Sequence, residues 1–318
     1  MPLHLDTPLF QSRRLSLLAG KSIWLKFEAL QPSGSFKLRG IGAACEEYKR
    51  QGKSRFISSS GGNAGLAVAY AGRLLDIPVT VVVPQSTPLN ARNLLEQEGA
   101  AVIVHGAVWA EANALAQSLL DDTTAFLHPF DNPLLWSGHA TLIDEVVRSG
   151  AQFDGVILSV GGGGLLSGVA EGMERNGLAN LPIIAVETEG ANCLARALVA
   201  GENIPMAAIT SVATSLGANK VAEHAFEVAR SRDVRSVVVS DLEALDAGEQ
   251  FLRDHRVLVE PACGASLAVV YSQQRRRALD GIKSPLVVVC GGATATLEMI
   301  REWRAAAEKT AASIEASA

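Results

Sequence analysis

Residues 156–170 read VILSVGGGGLLSGVA: a short β-branched run, four consecutive glycines, then apolar residues at helical spacing. In a parallel α/β sheet this is where a strand hands the chain to a helix. Glycine lets the backbone approach a ligand there, and the first N–H groups of the helix face an anion. The same order recurs at 56–70, FISSSGGNAGLAVAY, and at 286–300, LVVVCGGATATLEMI. One such turn is explained by a tight connection alone; three suit a ligand-binding edge better.

Outward from these turns, runs at Arg55 to Ser59, Val79 to Val83, Ala101 to Val104, Val156 to Val160, Ile183 to Val186, Ser236 to Val239 and Leu286 to Cys290 predict strands. Residues 62–75, 88–98, 107–119, 133–149, 164–176, 219–231, 241–254, 261–279 and 295–309 have helical spacing. Strands such as VTVVV and LVVVC are apolar without alternation, which a sheet covered by helices on both faces requires. The βαβα order therefore predicts an α/β fold.

Composition narrows the function. The 318 residues are 48% apolar and 19% charged, with net charge −5, enough for a sizeable core and too acidic for a nucleic-acid backbone. The densest cationic run, Arg275 to Arg277, reads as the solvated end of a helix. No window approaches the roughly 18 apolar residues of a membrane span, and the start MPLHLDTPLF lacks a leader pattern, so the expectation is a cytoplasmic protein. Cys45, Cys193, Cys263 and Cys290 are far apart, without metal-binding spacing, and read as reduced thiols. HExxH, GxSxG and GxxxxGK[ST] do not occur. The Ala-rich end, 305–318, reads as a surface helix or a fraying tail.

Lys37 lies in QPSGSFKLRGIGAACEEYKRQG, residues 31–52. Ser35 can cap the helix that follows, which puts Lys37 in the first turn, where the helix dipole disfavours a cation. Ile41, Ala44 and Tyr48 share its face, whereas Arg39, Glu46, Lys49 and Arg50 mostly point elsewhere. A lysine desolvated there has a lowered pKa, as a carbonyl-bonding amine needs; a snorkelling lysine fits the spacing equally. The glycine loop is ambiguous too. Gly162-x-Gly164-x-x-Ser167, followed by Glu187 at the end of the next strand, imitates the fingerprint of a nicotinamide-nucleotide-binding dehydrogenase.

Four motifs taken together resemble one family: Ser33-Gly34-Ser35-Phe36-Lys37-Leu38-Arg39-Gly40, Ser59-Ser60-Gly61-Gly62-Asn63-Ala64-Gly65, Gly161 to Leu165, and Cys290-Gly291-Gly292. In this order they resemble the pyridoxal-phosphate enzymes of the tryptophan-synthase β-like family, fold type II, and within it the serine/threonine dehydratase group. The resemblance runs from Thr7-Pro8-Leu9 to about Glu302. It implies two open twisted α/β domains with the cofactor in the cleft between them: a large domain of residues 1–39 plus 139–318, and a small inserted domain of residues 40–138.

By that resemblance Lys37 bonds the cofactor and later acts as general base. Phe36 and Ser215 flank the pyridine ring, Asn63 meets its hydroxyl, and Cys290 faces its nitrogen. Gly161, Gly162, Gly163, Gly164 and Leu165 hold the phosphate. Ser60, Gly61, Asn63, Ala64 and Phe130 form the substrate site, with Gly61, which is alanine in some members, expected to loosen its wall. A monovalent cation, K+, falls to Gly161, Glu187, Ala191, Cys193, Leu216 and Ala218, where Cys193 replaces a serine. His128 and His139 read as structural histidines. The implied reaction is elimination of water from L-serine or L-threonine, giving pyruvate or 2-oxobutanoate and ammonia, with serine racemase as the neighbouring alternative. The length leaves no room for a C-terminal regulatory domain, so amino-acid catabolism by a cytoplasmic homodimer is expected.

Overall fold

The computed structural model describes residues 1–315, with side chains through residue 310. The first elements are β1 (Leu9–Gln11), α1 (Arg13–Ala19), β2 (Trp24–Lys26) and α2 (Lys37–Arg50). Then β3 (Arg55–Ser58), α3 (Asn63–Leu75), β4 (Val79–Val83), α4 (Leu89–Gln97), β5 (Ala101–Val104), α5 (Trp109–Ser118) and β6 (Thr124–Phe126) alternate. The chain continues through α6 (Pro133–Arg148), β7 (Gly155–Ser159), α7 (Gly164–Arg175), β8 (Ile183–Thr188), α8 (Cys193–Ala200), α9 (Glu223–Ser231) and β9 (Val234–Val239). It closes with α10 (Asp241–His255), α11 (Pro261–Tyr271), β10 (Pro285–Val288) and α12 (Leu297–Glu315).

These strands make two sheets, one of six strands in the order β1-β2-β10-β7-β8-β9 and one of four in the order β5-β4-β3-β6. All pairings are parallel except β1 with β2. Both sheets reverse direction once. From β3 the chain builds outward to β5 and returns to place β6 on the other side of β3; from β7 it builds to β9 and returns to place β10 beside β7. Open α/β sheets bind ligands at the carboxyl end of such reversal strands. The loops after β3 and β7 are the first two glycine clusters.

β7 and β8 are buried along their whole length, and α11 is buried on every face, as a helix in the middle of a core must be. All seven expected strands are present; β1, β2 and β6 are additional and only three residues long, too short for a visible period. The helix expected over 261–279 stops at Tyr271, and a separate 3-10 turn covers Arg275–Leu279. Arg277 is exposed, as a solvated end should be, but Arg275 and Arg276 are tied down. Arg275 pairs with Glu243 at 2.7 Å, and Arg276 donates to the carbonyls of Val270 and Leu18, each at 2.9 Å. Of the Ala-rich end, 305–315 continues α12, and 316–318 lie outside the described residues.

Arg39 departs furthest from its expectation. It is fully buried, with Nε 2.7 Å from Glu28 and Nη1 2.6 Å from Glu145, while Lys26 reaches the same Glu145 at 2.5 Å. Burial pushes the Glu28 carboxyl up, but the guanidinium beside it wins and holds it below its ordinary value. The network ties the start of α2 to β2 and α6. Beside it α2 and α6 cross where a Cβ on Gly138 would meet the Cα of Gly40 at 2.7 Å, so glycine is needed for the approach.

Candidate active site

α2 begins directly at Lys37, but Ser35 does not cap it. Phe36 holds the N-cap position, and the Ser35 hydroxyl is buried without a partner. What fixes this turn is the third glycine cluster. Phe36 N–H donates to the carbonyl of Cys290 at 3.0 Å, Gly292 N–H donates to Gly34 O at 3.1 Å, and a Cβ on Gly291 would lie 2.4 Å from Gly34 O. Gly291 and Gly292 have φ of 127° and 141°. These glycines admit the lysine loop rather than a ligand. Lys37 Nζ lies 5.1 Å from the centre of the Phe36 ring and donates to the carbonyl of Pro129 at 2.5 Å. Burial lowers its pKa to about 8, with Cys290 and Glu260 pulling weakly the other way.

Gly62 and Asn63 start α3. Among the described residues, the N–H groups of Gly61, Asn63 and Ala64 have no acceptor, so the end of β3 presents free donors of the kind that an anion accepts from. The Asn63 side chain donates from Nδ2 to Glu260 at 2.8 Å, and its Oδ1 is buried without a partner. Ser60 Oγ accepts from Gly62 N–H at 3.4 Å. Gly61 does not loosen the wall as expected. A Cβ there would lie 2.6 Å from Thr87 Cγ2 and 3.2 Å from Val83 Cγ1, so Thr87 already fills the space.

A second run of free donors opens α7. The N–H groups of Gly161, Gly162, Gly163, Gly164 and Leu165 have no acceptor among the described residues. Gly163 has φ of 90°, and a Cβ on Gly162 would lie 2.3 Å from the Phe130 ring. Leu216 and Ser215 pass behind Gly161, with the Leu216 Cα 3.0 Å from its missing Cβ. Ser215 Oγ donates to Glu260 at 2.9 Å. Burial pushes the Glu260 carboxyl up to about 7, against the pull of Ser215, Asn63 and Lys37. Cys290 is raised by Cys263 and by burial, so its thiol stays protonated. His139 is fully buried and accepts from Gly40 N–H at 3.2 Å, and burial lowers it well below its ordinary value. It packs 4.9 Å from Phe36 as a neutral ring.

Glu187 is fully buried, and both its oxygens accept N–H groups of α8, from Leu194 and Ala195, each at 2.8 Å. It is closed to a ribose, which removes the nicotinamide alternative built on it. Burial raises it to about 7, and the neighbouring Cys193 to about 12. Cys193 Sγ donates to Gly161 O at 3.5 Å, while Ala191 pairs with Thr188 and Ala218 N–H donates to Leu216 O at 2.8 Å. No cluster of three or more His, Cys, Asp or Glu occurs among the described residues.

These residues fit pyridoxal phosphate: an amine with a lowered pKa, a run of unpaired N–H groups for a phosphate and an unpartnered Asn63 oxygen between them. The profile of the family described as "Pyridoxal-phosphate dependent enzyme" matches residues 1–291. The chain belongs to that family. It is 48% identical over 303 residues to the human "Serine dehydratase-like" protein, covering 92% of this chain and 91% of the relative. It is 44% identical over 309 residues to human "L-serine dehydratase/L-threonine deaminase", covering 94% of each. The crystal structure of an L-serine ammonia-lyase from the fungus Rhizomucor miehei superposes with a TM-score of 0.91 at 34% identity, covering 96% of this chain and 99% of that one.

Sequence reasoning missed Glu260, Thr87 and Pro129. For Glu260 the signal was present in VEPACGAS: a carboxylate directly before a proline that opens an apolar helix. Thr87 and Pro129 carry no such mark.

Proposed function

We propose that this enzyme is an L-serine/L-threonine ammonia-lyase, which eliminates water from a β-hydroxy amino acid to give pyruvate or 2-oxobutanoate and ammonia. The observation that carries the reading is the pair of unpaired helix N-termini at the two sheet reversals, with Lys37 beside them. One suits a permanent phosphate and the other an exchangeable carboxylate. The relatives named above support the choice of substrate.

In this reading Gly161 to Leu165 hold the phosphate, Phe36 and Ser215 flank the ring, Asn63 meets its hydroxyl and Cys290 its nitrogen. Bound pyridoxal phosphate supplies an aldehyde that bonds amines and a ring that takes up electron density from the substrate's Cα. Ser60, Gly61, Asn63 and Ala64 receive the substrate carboxylate, and Phe130 borders the side chain. Lys37, lowered to about 8, is partly neutral near physiological pH and takes the Cα proton. The protonated Cys290 thiol is a weak partner for the ring nitrogen, which favours prompt loss of the β-hydroxyl over transfer of the amine.

A K+ ion at Glu187, Gly161, Ala191, Cys193, Leu216 and Ala218 belongs to the same reading. Its support is a buried carboxylate raised to about 7 whose hydrogen-bond partners include no cationic side chain. The Cys193 thiol is a soft group in a hard-ion shell, so the backbone oxygens carry most of the coordination. The division into residues 1–39 plus 139–318 and 40–138 is part of the proposal, supported by the two separate sheets and by the close approach of Gly40 to Gly138. A cytoplasmic homodimer completes the proposal, supported by four free buried thiols and by the prevalence of two-fold symmetry.

The test is an absorption spectrum of the purified protein before and after L-serine, with pyruvate assayed in the same cuvette. A yellow band that depends on Lys37 and changes as pyruvate accumulates is expected. A yellow protein that yields D-serine without pyruvate would move the reaction to racemisation.

A further inference from the structure

Glu260 has no place in the reaction as described above, yet its surroundings are built around it. Its carboxylate is buried between two groups that arrive from different sheets. Oε1 accepts from Asn63 Nδ2 at 2.8 Å, from the helix that follows β3, and Oε2 accepts from Ser215 Oγ at 2.9 Å, from the segment behind the α7 loop. Its backbone is pinned as well. Glu260 N–H donates to Gly291 O at 3.3 Å, and a Cβ on Gly292 would lie 2.6 Å from the Glu260 Cβ and N, so that glycine exists to let Glu260 in. Proline at 261 starts α11 immediately and fixes the direction of the chain.

We propose that Glu260 is a positioning residue for the cofactor site, one carboxylate that sets the orientation of Asn63 and the spacing between Asn63 and Ser215. The inference rests on the reading that pyridoxal phosphate binds between those two residues. Both carboxyl oxygens act as acceptors, so Glu260 takes the N–H side of the Asn63 amide and turns Oδ1, which has no partner in the protein, to the other side. Ser215 holds the second oxygen, so neither wall moves without the other. The groups facing the carboxylate are Asn63, Ser215, Lys37 from the start of α2 and Cys290 from beyond β10, with Cys263 behind Cys290. Lys37 is the only one of them that carries charge, which places the carboxylate and the reactive amine in one electrostatic unit.

Glu260→Ala and Glu260→Gln separate position from packing. Cofactor-free protein is titrated with pyridoxal phosphate and the visible band is followed, alongside thermal melting of the cofactor-free form and kcat and KM for L-serine. Glu260→Ala is expected to weaken cofactor binding by about tenfold or more, the scale of a lost charged hydrogen bond, with little change in the cofactor-free melting temperature. Glu260→Gln keeps the shape. Its Oε1 can accept from Asn63 while Nε2 donates to the Ser215 hydroxyl, so cofactor affinity is expected to recover most of the loss, with an altered pH profile because the titrating group is gone. Unchanged cofactor affinity and kcat in Glu260→Ala would overturn the proposal, and so would a Gln variant as defective as the Ala variant. The cofactor titration does not depend on which amino acid is the substrate. Wild-type protein that binds pyridoxal phosphate but makes no pyruvate would therefore sink the dehydratase reading without touching this one.

Discussion

The N-termini of α3 and α7 are the same device in different surroundings. Each follows a parallel strand at a sheet reversal, has glycine at its N-cap and leaves N–H groups unpaired. Around α7 the neighbours Phe130, Leu216, Val221 and Ala225 offer no side-chain hydrogen bond, and the polar side chains that reach the loop are already committed, Ser215 Oγ to Glu260 and Cys193 Sγ to Gly161 O. Around α3 they are Ser60, Asn63 with its Glu260 anchor, and Thr87. The free donors at α7 are thus backbone N–H groups, which in the proposed reading suit a phosphate that stays bound. At α3 side chains stand beside them, which in the same reading suits a carboxylate that is exchanged.

The harshest way to break this arrangement is to remove the amine between the two sites. Lys37→Ala should lower turnover by about a thousandfold or more, because a general base and a covalent anchor vanish together; near-normal pyruvate formation would refute the mechanism. The same lysine costs the fold something. With its pKa at about 8 in the native state against 10.5 when exposed, the unfolded chain binds more protons between those values, and native stability should rise with pH across that window. At pH 7 the cost is fully present. Lys37→Met should therefore make the cofactor-free protein more stable than wild type by about 3 kcal/mol at pH 7, a gain that fades toward pH 10.5 and is read by denaturant titration.

Next in size is Arg39→Ala. It leaves the buried Glu28 without a cationic partner, while Glu145 keeps Lys26, and should destabilise the protein by about 3 to 5 kcal/mol in the same titration. Gly162→Ala sharpens the comparison from the α7 side. Its methyl would strike the Phe130 ring, so cofactor affinity should fall by about tenfold or more while KM for serine in cofactor-saturated enzyme changes less. Gly61→Ala does the converse at α3. KM should rise several-fold, and Thr87→Ser, which removes the blocking Cγ2, should restore most of it; additive losses would show that the two residues are not coupled. The smallest effect belongs to Glu187. Exchanging K+ for Na+ should lower activity and melting temperature modestly in wild type and leave Glu187→Gln insensitive to the exchange.

Much of this was legible in the chain. The glycine turns after 159 and 58 read correctly because strand, glycine and helix are consecutive, and a local pattern reports a local structure. The third turn, at Gly291, has the same local pattern and a different purpose. Its glycines make room for Gly34, Ser35 and Glu260, and sequence proximity carries no trace of those contacts. Arg39 failed for a related reason. Its helical phase sets it off the Lys37 face, but phase does not tell that Glu28 and Glu145 wait there. Ser35 looked like a cap because serine before a helix usually caps, and the pull of Cys290 O on Phe36 N–H moved the helix start by one residue.

The sequence by itself determined the α/β class, the two glycine turns between strand and helix and the place of Lys37 in the first turn of α2, since each rests on residues within about one turn or strand of one another. Tertiary structure decided how the lysine came to have a lowered pKa, which carboxylate orients Asn63, and what fills the space beside Gly61. Those depend on burial and on contacts such as Asn63 to Glu260, 197 residues apart, and only the folded chain brings such groups together.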